Sequence, residues 1–355
     1  MFVIYIAILL GIHTYVLFII ADVLNSGIWS EFNFDTDNKY LTSLHTKLKD
    51  TVLIAKASST TSKYSGGWRR WKDFAHCHQL QVFPVKPVDL ALYIQHVANH
   101  SISPAPIDTA IYGIRWAHML AGVISPTDSS FIKTVVEGCR RALAKPKVPK
   151  EPISVDALSK LVMDKGANPS MYDMRLLFIC LVSFAGLLRC DEITSIKICD
   201  ISFFSDHMSI YLPKRKNDQF RQGHTVFIAR TGNSTCPVAI TERYIDMLGI
   251  ANSPSHPLVC GFRRSKRAGL GPISKAITYS TVRDLIKSGL SKYVDDPSSL
   301  GTHSLRSGGA SAAASANVSE RCLTRQGGWK STSSKDMYIK DSIDNKLSVS
   351  RAMKL

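Results

Sequence analysis

Apolar positions recur at helical spacing from about Leu41 to Leu143, then give way to a mixed pattern beyond a proline-rich break. In the first stretch Tyr64, Trp68, Trp71 and Ala75 share one helical face, while Lys63, Arg69, Arg70 and Lys72 fall largely off it. The tryptophans are therefore expected in a core. Asp89 and Asp108 precede apolar runs and read as helix N-caps, and Thr127-Asp128 opens a last helix ending near Arg140-Arg141. The expectation is a small bundle of about four or five helices. Ala144-Lys-Pro-Lys-Val-Pro-Lys-Glu-Pro152 then forbids helix and favours an extended, semi-rigid linker.

After the linker, helices are expected over 154–161 and over 171–188, the latter apolar and free of interior proline. Strand-like runs follow at 196–204, 208–212 and 225–229, the last two joined as a hairpin by the turn from Pro213 to Gly223. Helical patterns resume at 238–248, 281–292, 304–316, 318–326 and 333–340. The fold class is therefore mainly α with a small antiparallel β-sheet (α+β). No internal repeat is visible. The Gly-Gly-Ala-Ser-Ala-Ala-Ala run at 308–314 is, with the linker, the low-complexity part of the chain.

The first 21 residues contain no Asp, Glu, Lys or Arg and are long enough to span a membrane. They lack the basic start and small-residue cleavage site of a secretory signal, and the first basic residue after them is Lys39. A membrane anchor, a buried N-terminal helix and upstream sequence outside the working protein all fit this run. Nothing downstream requires a membrane, so the segment 1–38 is expected to be a non-functional extension, with membrane contact through residues 1–21 as the alternative.

Composition sharpens the picture. At 355 residues and 45% hydrophobic, the chain can bury two modest cores. The formal charge of +16 favours a polyanionic partner. Eight cysteines without a Cys-x-x-Cys pair argue for reduced thiols and against a disulfide frame or zinc ribbon. His76-Cys77-His78 offers adjacent ligands with no distant pair to complete a tetrahedron, so no metal and no cofactor is expected.

The candidate chemistry lies after the linker. Ala185-Gly-Leu-Leu-Arg189-Cys-Asp-Glu192 runs an apolar helix end into an arginine, and His303-Ser-Leu-Arg306 is the chain's His-x-x-Arg. Trp329 follows Arg306 by 23 residues and precedes Tyr338 by nine. Taken singly, Arg189 reads as a helix C-terminal cap and Tyr338 as a core tyrosine on a short helix. Together they suit metal-free cleavage of a phosphodiester. Its transition state concentrates negative charge on two non-bridging oxygens, and guanidinium binds two such oxygens while staying charged. A phenol is protonated at neutral pH, so as a nucleophile it needs a base, and His303 titrates in a useful range. An indole N–H donates but shuttles no proton, so Trp329 would position and pack. The departing oxygen needs a proton donor, which the hairpin turn supplies in Lys214 and Lys216.

This order and spacing resemble the tyrosine recombinase (phage integrase-like) family, from about Leu41 to the chain end and most strongly in the last 60 residues. The resemblance implies that Arg189, Arg306, His303, Trp329 and Tyr338 surround one phosphate, with Glu192 holding Arg189 in register. Tyr338 would form a 3′-phosphotyrosyl bond, and Lys216 would be the general acid with Lys214 as fallback. Lys-Asn-Asp-Gln at 216–219 resembles the turn of eukaryotic mobile-element recombinases of DIRS and crypton type. The family's domains imply a helical core-binding bundle at 39–143, the linker at 144–152 and a catalytic domain at 153–355. The implied partner is double-stranded DNA, gripped by a clamp and synapsed by a homotetramer. Arg69, Arg70, Thr109, Tyr112, Arg115, Lys145, Lys147, Arg263 and Arg264 are the expected DNA contacts, Thr109, Tyr112 and Arg115 on one exposed stripe. Pro-Lys-Arg-Lys at 213–216 and Arg263-Arg-Ser-Lys-Arg267 also resemble nuclear import signals, so a eukaryotic version is expected in the nucleus. Three rival readings are a type IB topoisomerase-like nicking enzyme, a domesticated DNA-binding protein that no longer cuts, and a membrane-anchored protein whose basic domain meets anionic lipid. The 17 residues after Tyr338 are a short tail for the subunit exchange of some family members.

Overall fold

A computed structural model describes residues 16, 18–31, 38–146, 150–216, 218, 222–265 and 269–353. The chain divides into two compact units between residues 147 and 148. Lys147, most of the apolar run 1–21, Asn217, Gln219, Lys266 and Arg267 lie outside the described residues.

The first unit holds α1 (Lys39–Ile54), α2 (Ser58–Cys77), α3 (Pro87–Asn99), α4 (Ala105–Leu120) and α5 (Ser130–Ala142). Trp68, Trp71 and Ala75 are fully buried, as their shared face requires. Helices α2 and α4 approach closely because two glycines face the contact. A Cβ on Gly113 would stand 2.8 Å from the Trp68 nitrogen, and one on Gly67 would stand 2.5 Å from the Thr109 carbonyl oxygen. The caps differ from expectation. Helix α3 begins at Pro87 and α4 at Ala105 behind Pro104, which leaves Asp89 and Asp108 in the first turns. Proline is pre-organised for a helix start, and an acid one turn in still complements the dipole. Thr127 and Asp128 belong to a short 3-10 turn before α5.

The described part of the N-terminal segment does not stand apart from this unit. Val16, Ile19, Ile20, Val23, Leu24 and Trp29 are buried in its core. The Trp29 indole donates to the Leu120 carbonyl at 2.7 Å, and Lys72 pairs with Asp22 at 3.0 Å. Gly27, at φ +58, lets the chain run against Ala121, whose carbonyl oxygen would be 2.1 Å from an added Cβ. These apolar side chains are thus core material, although the sequence favoured a non-functional extension over a buried segment. Among the described residues no helix is long and apolar enough to cross a membrane.

The second unit contains α6 (Val155–Lys165), α7 (Met171–Ala185), α8 (Cys190–Ser195), α9 (Pro237–Leu248), α10 (Tyr279–Leu290), α11 (Ser304–Ser315), α12 (Glu320–Gly327), α13 (Thr332–Asp336) and α14 (Ile343–Ala352). Its centre is α7, buried on every face from Met174 to Ser183 and opened by a Ser170/Asp173 capping box. Strands β1 (Ile201–Phe203), β2 (His207–Leu212) and β3 (His224–Ala229) form an antiparallel sheet, with Ile210 opposite both Ile201 and Val226. The fold is mainly helical with small antiparallel sheets, as expected.

The details differ in several places. The first strand is shorter than 196–204, because a 3-10 turn occupies 198–200. A second antiparallel ribbon, β4 (Cys260–Ser265) with β5 (Gly269–Ala276), was not anticipated. It carries Arg263 and Arg264. A two-stranded ribbon tolerates Gly271 and Pro272 because its edges need no partner, so its sequence lacks strand alternation. Helix α13 ends at Asp336, which leaves Tyr338 just beyond it.

Candidate active site

The site is assembled by close packing of α11 against the end of α7. A Cβ on Gly308 would stand 2.1 Å from the Ile153 carbonyl oxygen, and one on Gly309 the same distance from that of Phe184. The run that reads as low complexity is therefore a packing surface. It brings Arg306 onto the turn after α7, where its guanidinium donates to the Leu187 carbonyl and, at 2.8 Å, to that of Gly327. Arg306 is fully buried. Burial, aided by the Arg189 charge, pushes its pKa down to about 10, so it stays charged at neutral pH.

Arg189 sits at the N-terminus of α8, not at a helix C-terminus as its bland reading had it. Glu192, one turn on, accepts from the Arg189 backbone N–H and from its guanidinium, both at 2.8 Å. The same carboxylate accepts from Arg215, Nε at 2.9 Å and Nη2 at 3.2 Å. Burial alone would raise the Glu192 pKa, but bonding and charge from Arg215, then Arg189, outweigh it and hold it at about 2. Arg215 is buried between exposed Lys214 and Lys216, and it escaped the sequence reading. No sequence signal marks it, because the burial of Glu192 and its spare acceptor capacity appear only in the fold.

His303 precedes α11, and its Nδ1 lies 3.3 Å from the Tyr338 hydroxyl. The residue keeps solvent access, yet surrounding protein withdraws part of the ring's hydration and lowers its pKa. The positive charges of Arg306, Arg189 and Lys216 add to that, against Asp191. His303 is thereby kept neutral and able to accept a proton. Tyr338 is held by its backbone: its carbonyl accepts from Ser307 Oγ at 2.6 Å and Ser311 Oγ at 3.4 Å. Upstream, buried Lys335 pairs with Glu320 at 2.6 Å, which ties the tyrosine segment to α12. Trp329 and Tyr338 both lie over the Arg306 guanidinium, at 4.3 and 4.9 Å from their ring centres.

Three buried N–H groups here lack a partner among the described residues: Arg306 Nε, Trp329 Nε1 and Arg215 Nη1. Buried donors without acceptors are costly, and such a surplus around two guanidiniums suits an anion. The structure therefore gathers Arg189, Glu192, His303, Arg306, Trp329 and Tyr338, with Lys216 close enough to act on His303. Lys214 is exposed on the same turn.

The expected DNA contacts are more dispersed. Arg69 and Arg70 are exposed on α2, Lys145 beyond α5, and Arg263 and Arg264 on β4. Tyr112 and Arg115 are exposed on α4 and line a groove of about 500 Å³. Tyr112 stacks on Tyr64, and Arg115 pairs with Asp128 at 2.8 Å. Thr109 departs from the expected stripe: it is half-buried at the α2 contact, and its hydroxyl donates to its own helix at Ala105.

No protein-family profile matches the chain. It is 23% identical over 302 residues to the integrase/recombinase XerD homolog of Selenomonas ruminantium, covering 83% of this chain and 85% of that one. It is also 23% identical over 286 residues to the recombinase Cre of Escherichia phage P1, covering 77% and 81%. Among solved structures, the XerH site-specific recombinase bound to palindromic difH substrate has a TM-score of 0.56. That pair is 12% identical and covers 95% of this chain and 94% of the other. The chain is related to the tyrosine recombinases and integrases and shares their fold.

Proposed function

We propose that this protein breaks and rejoins DNA strands through a 3′-phosphotyrosyl intermediate, with Tyr338 as nucleophile. The observation that carries the reading is the Tyr338 hydroxyl at 3.3 Å from a neutral His303, beside two guanidiniums and unused N–H donors. The scissile phosphate takes the donors of Arg189, Arg306 and Trp329, once the Tyr338 ring swings off the buried Arg306. The Tyr338 oxygen bonds to phosphorus as its proton passes to His303. The bond to the 5′-oxygen breaks, and that oxygen takes a proton from Lys216. Charge stabilisation is greatest where charge develops, in the transition state. The phosphoester is conserved, so a 5′-hydroxyl of another strand reverses the steps without ATP.

Double-stranded DNA is the proposed partner. The basic residues Arg69, Arg70, Arg115, Lys145, Lys147, Arg263 and Arg264 contact its backbone. Synapsis by a homotetramer is supported by α14, whose Ile343, Leu347 and Val349 are exposed. The Lys-Asn-Asp-Gln turn favours a eukaryotic mobile-element origin and, with the basic runs, a nuclear location. The test is a nicked suicide substrate with mass mapping of the modified tyrosine. Wild-type protein traps covalently at Tyr338; Tyr338→Phe binds DNA but does not trap. Equal trapping by the variant rejects the assignment.

A further inference from the structure

The turn between β2 and β3 presents Lys214, Arg215 and Lys216 in succession, and the middle side chain alone is buried, at 5% exposure. A guanidinium enters the interior only where its charge and donors are met. Here one carboxylate meets the charge and the Nε and Nη2 donors, leaving Nη1 without a partner among the described residues: Glu192, itself 3% exposed, accepts two bonds from Arg215 while it holds the backbone and guanidinium of Arg189. Beyond Arg215 the turn closes on itself. The Asp218 N–H donates to the Arg215 carbonyl at 3.0 Å, and its carboxylate accepts from Gln222 and Gly223, each at 2.9 Å. On its other side the Arg215 guanidinium rests against Gly328, where a Cβ would come within 2.2 Å of Nη1. Gly328 adopts φ +61 and leads directly into Trp329.

We propose that Arg215 is a positioning residue for strand cleavage: through Glu192 it docks the β2–β3 turn on the Arg189 guanidinium and so places the Lys216 ammonium at the departing oxygen. The proposal rests on the reading of this site as a DNA-cleaving centre. Its consequence is specific. Loss of Arg215 leaves Arg189 bonded to Glu192, so phosphate binding is kept while delivery of the proton fails. A sulfur leaving group needs no proton, so a 5′-bridging phosphorothiolate bypasses that defect.

The test measures single-turnover cleavage by the full chain on suicide substrates with bridging oxygen or bridging sulfur, for wild type, Arg215→Gln, Arg215→Lys, Lys214→Ala, Lys216→Ala and Arg306→Ala. On oxygen, Arg215→Gln is expected to lose roughly 100-fold or more, the scale of general-acid catalysis. On sulfur it recovers most of that loss, as Lys216→Ala does, whereas Arg306→Ala stays slow on both. Arg215→Gln equally slow on both substrates, or unimpaired on oxygen, overturns the proposal. If Arg215→Gln does not fold by thermal unfolding, the sulfur-to-oxygen ratio of Arg215→Lys decides in the same way. Failure of the Lys216 reading shows separately, as a Lys216→Ala variant that sulfur does not rescue. Rescue of Lys214→Ala would then put the acid elsewhere on the turn that Arg215 docks.

Discussion

The two units bury different things. Among the described residues, every buried charged side chain lies in the second unit: Arg175, Glu192, Arg215, Arg306 and Lys335. The first unit buries Trp68, Trp71, Trp116 and Tyr93, and its buried polar side chains are four hydroxyls and the imidazole of His118. That imidazole donates to the Ile114 carbonyl at 2.9 Å and accepts from the Val85 N–H at 3.1 Å, an arrangement that needs the neutral ring. Burial lowers its pKa accordingly. Aromatic packing specifies a shape at no electrostatic cost, whereas buried charge is a poor source of stability. The second unit accepts that cost where a fixed, partly desolvated set of cations serves chemistry.

Variants can break this contrast or sharpen it. Trp68→Ala is expected to destabilise the first unit by about 3–5 kcal/mol, the scale for emptying a buried aromatic site. Urea unfolding would show it as an early loss of helical signal, and a loss spread equally over both units would deny their independence. Arg306→Ala is expected to raise the cleavage barrier by roughly 3–4 kcal/mol, the scale of a lost oxyanion donor. It should also bare the Gly327 and Leu187 carbonyls, so unfolding must be measured beside single-turnover rates.

Glu192 contributes through pH. Its folded pKa of about 2 lies below the ordinary 4.5. Its stabilisation is therefore complete above about pH 4.5 and is lost as pH falls toward 2, in all about 3 kcal/mol. Glu192→Gln should flatten the stability-against-pH curve in that window; an unchanged slope would mean the carboxylate is not the hub described. The smallest effect concerns His303, whose pKa sits below 6.5 partly because Lys216 is near. Lys216→Ala should move the NMR titration midpoint of His303 upward, and Lys214→Ala should move it less. Equal shifts would erase the distinction between the two lysines.

The sequence alone determined the helical first unit, the small sheet beside helices, and the grouping of Arg189, His303, Arg306, Trp329 and Tyr338. The first two follow from local periods; the grouping follows from the resemblance of that order and spacing to the tyrosine recombinases. It did not disclose the β4–β5 ribbon, because an unpartnered ribbon imposes no alternation. It could not tell Arg215 from its lysine neighbours, since all three are cations on one turn. Which of them turns inward depends on a carboxylate brought from α8. Nor did it foresee that Gly308 and Gly309 are where two helices meet, or decide among its readings of the N-terminal run, of which Val16, Ile20 and Trp29 enter the first core. Those outcomes belong to tertiary structure, because desolvation and close contact are properties of the space between elements distant along the chain.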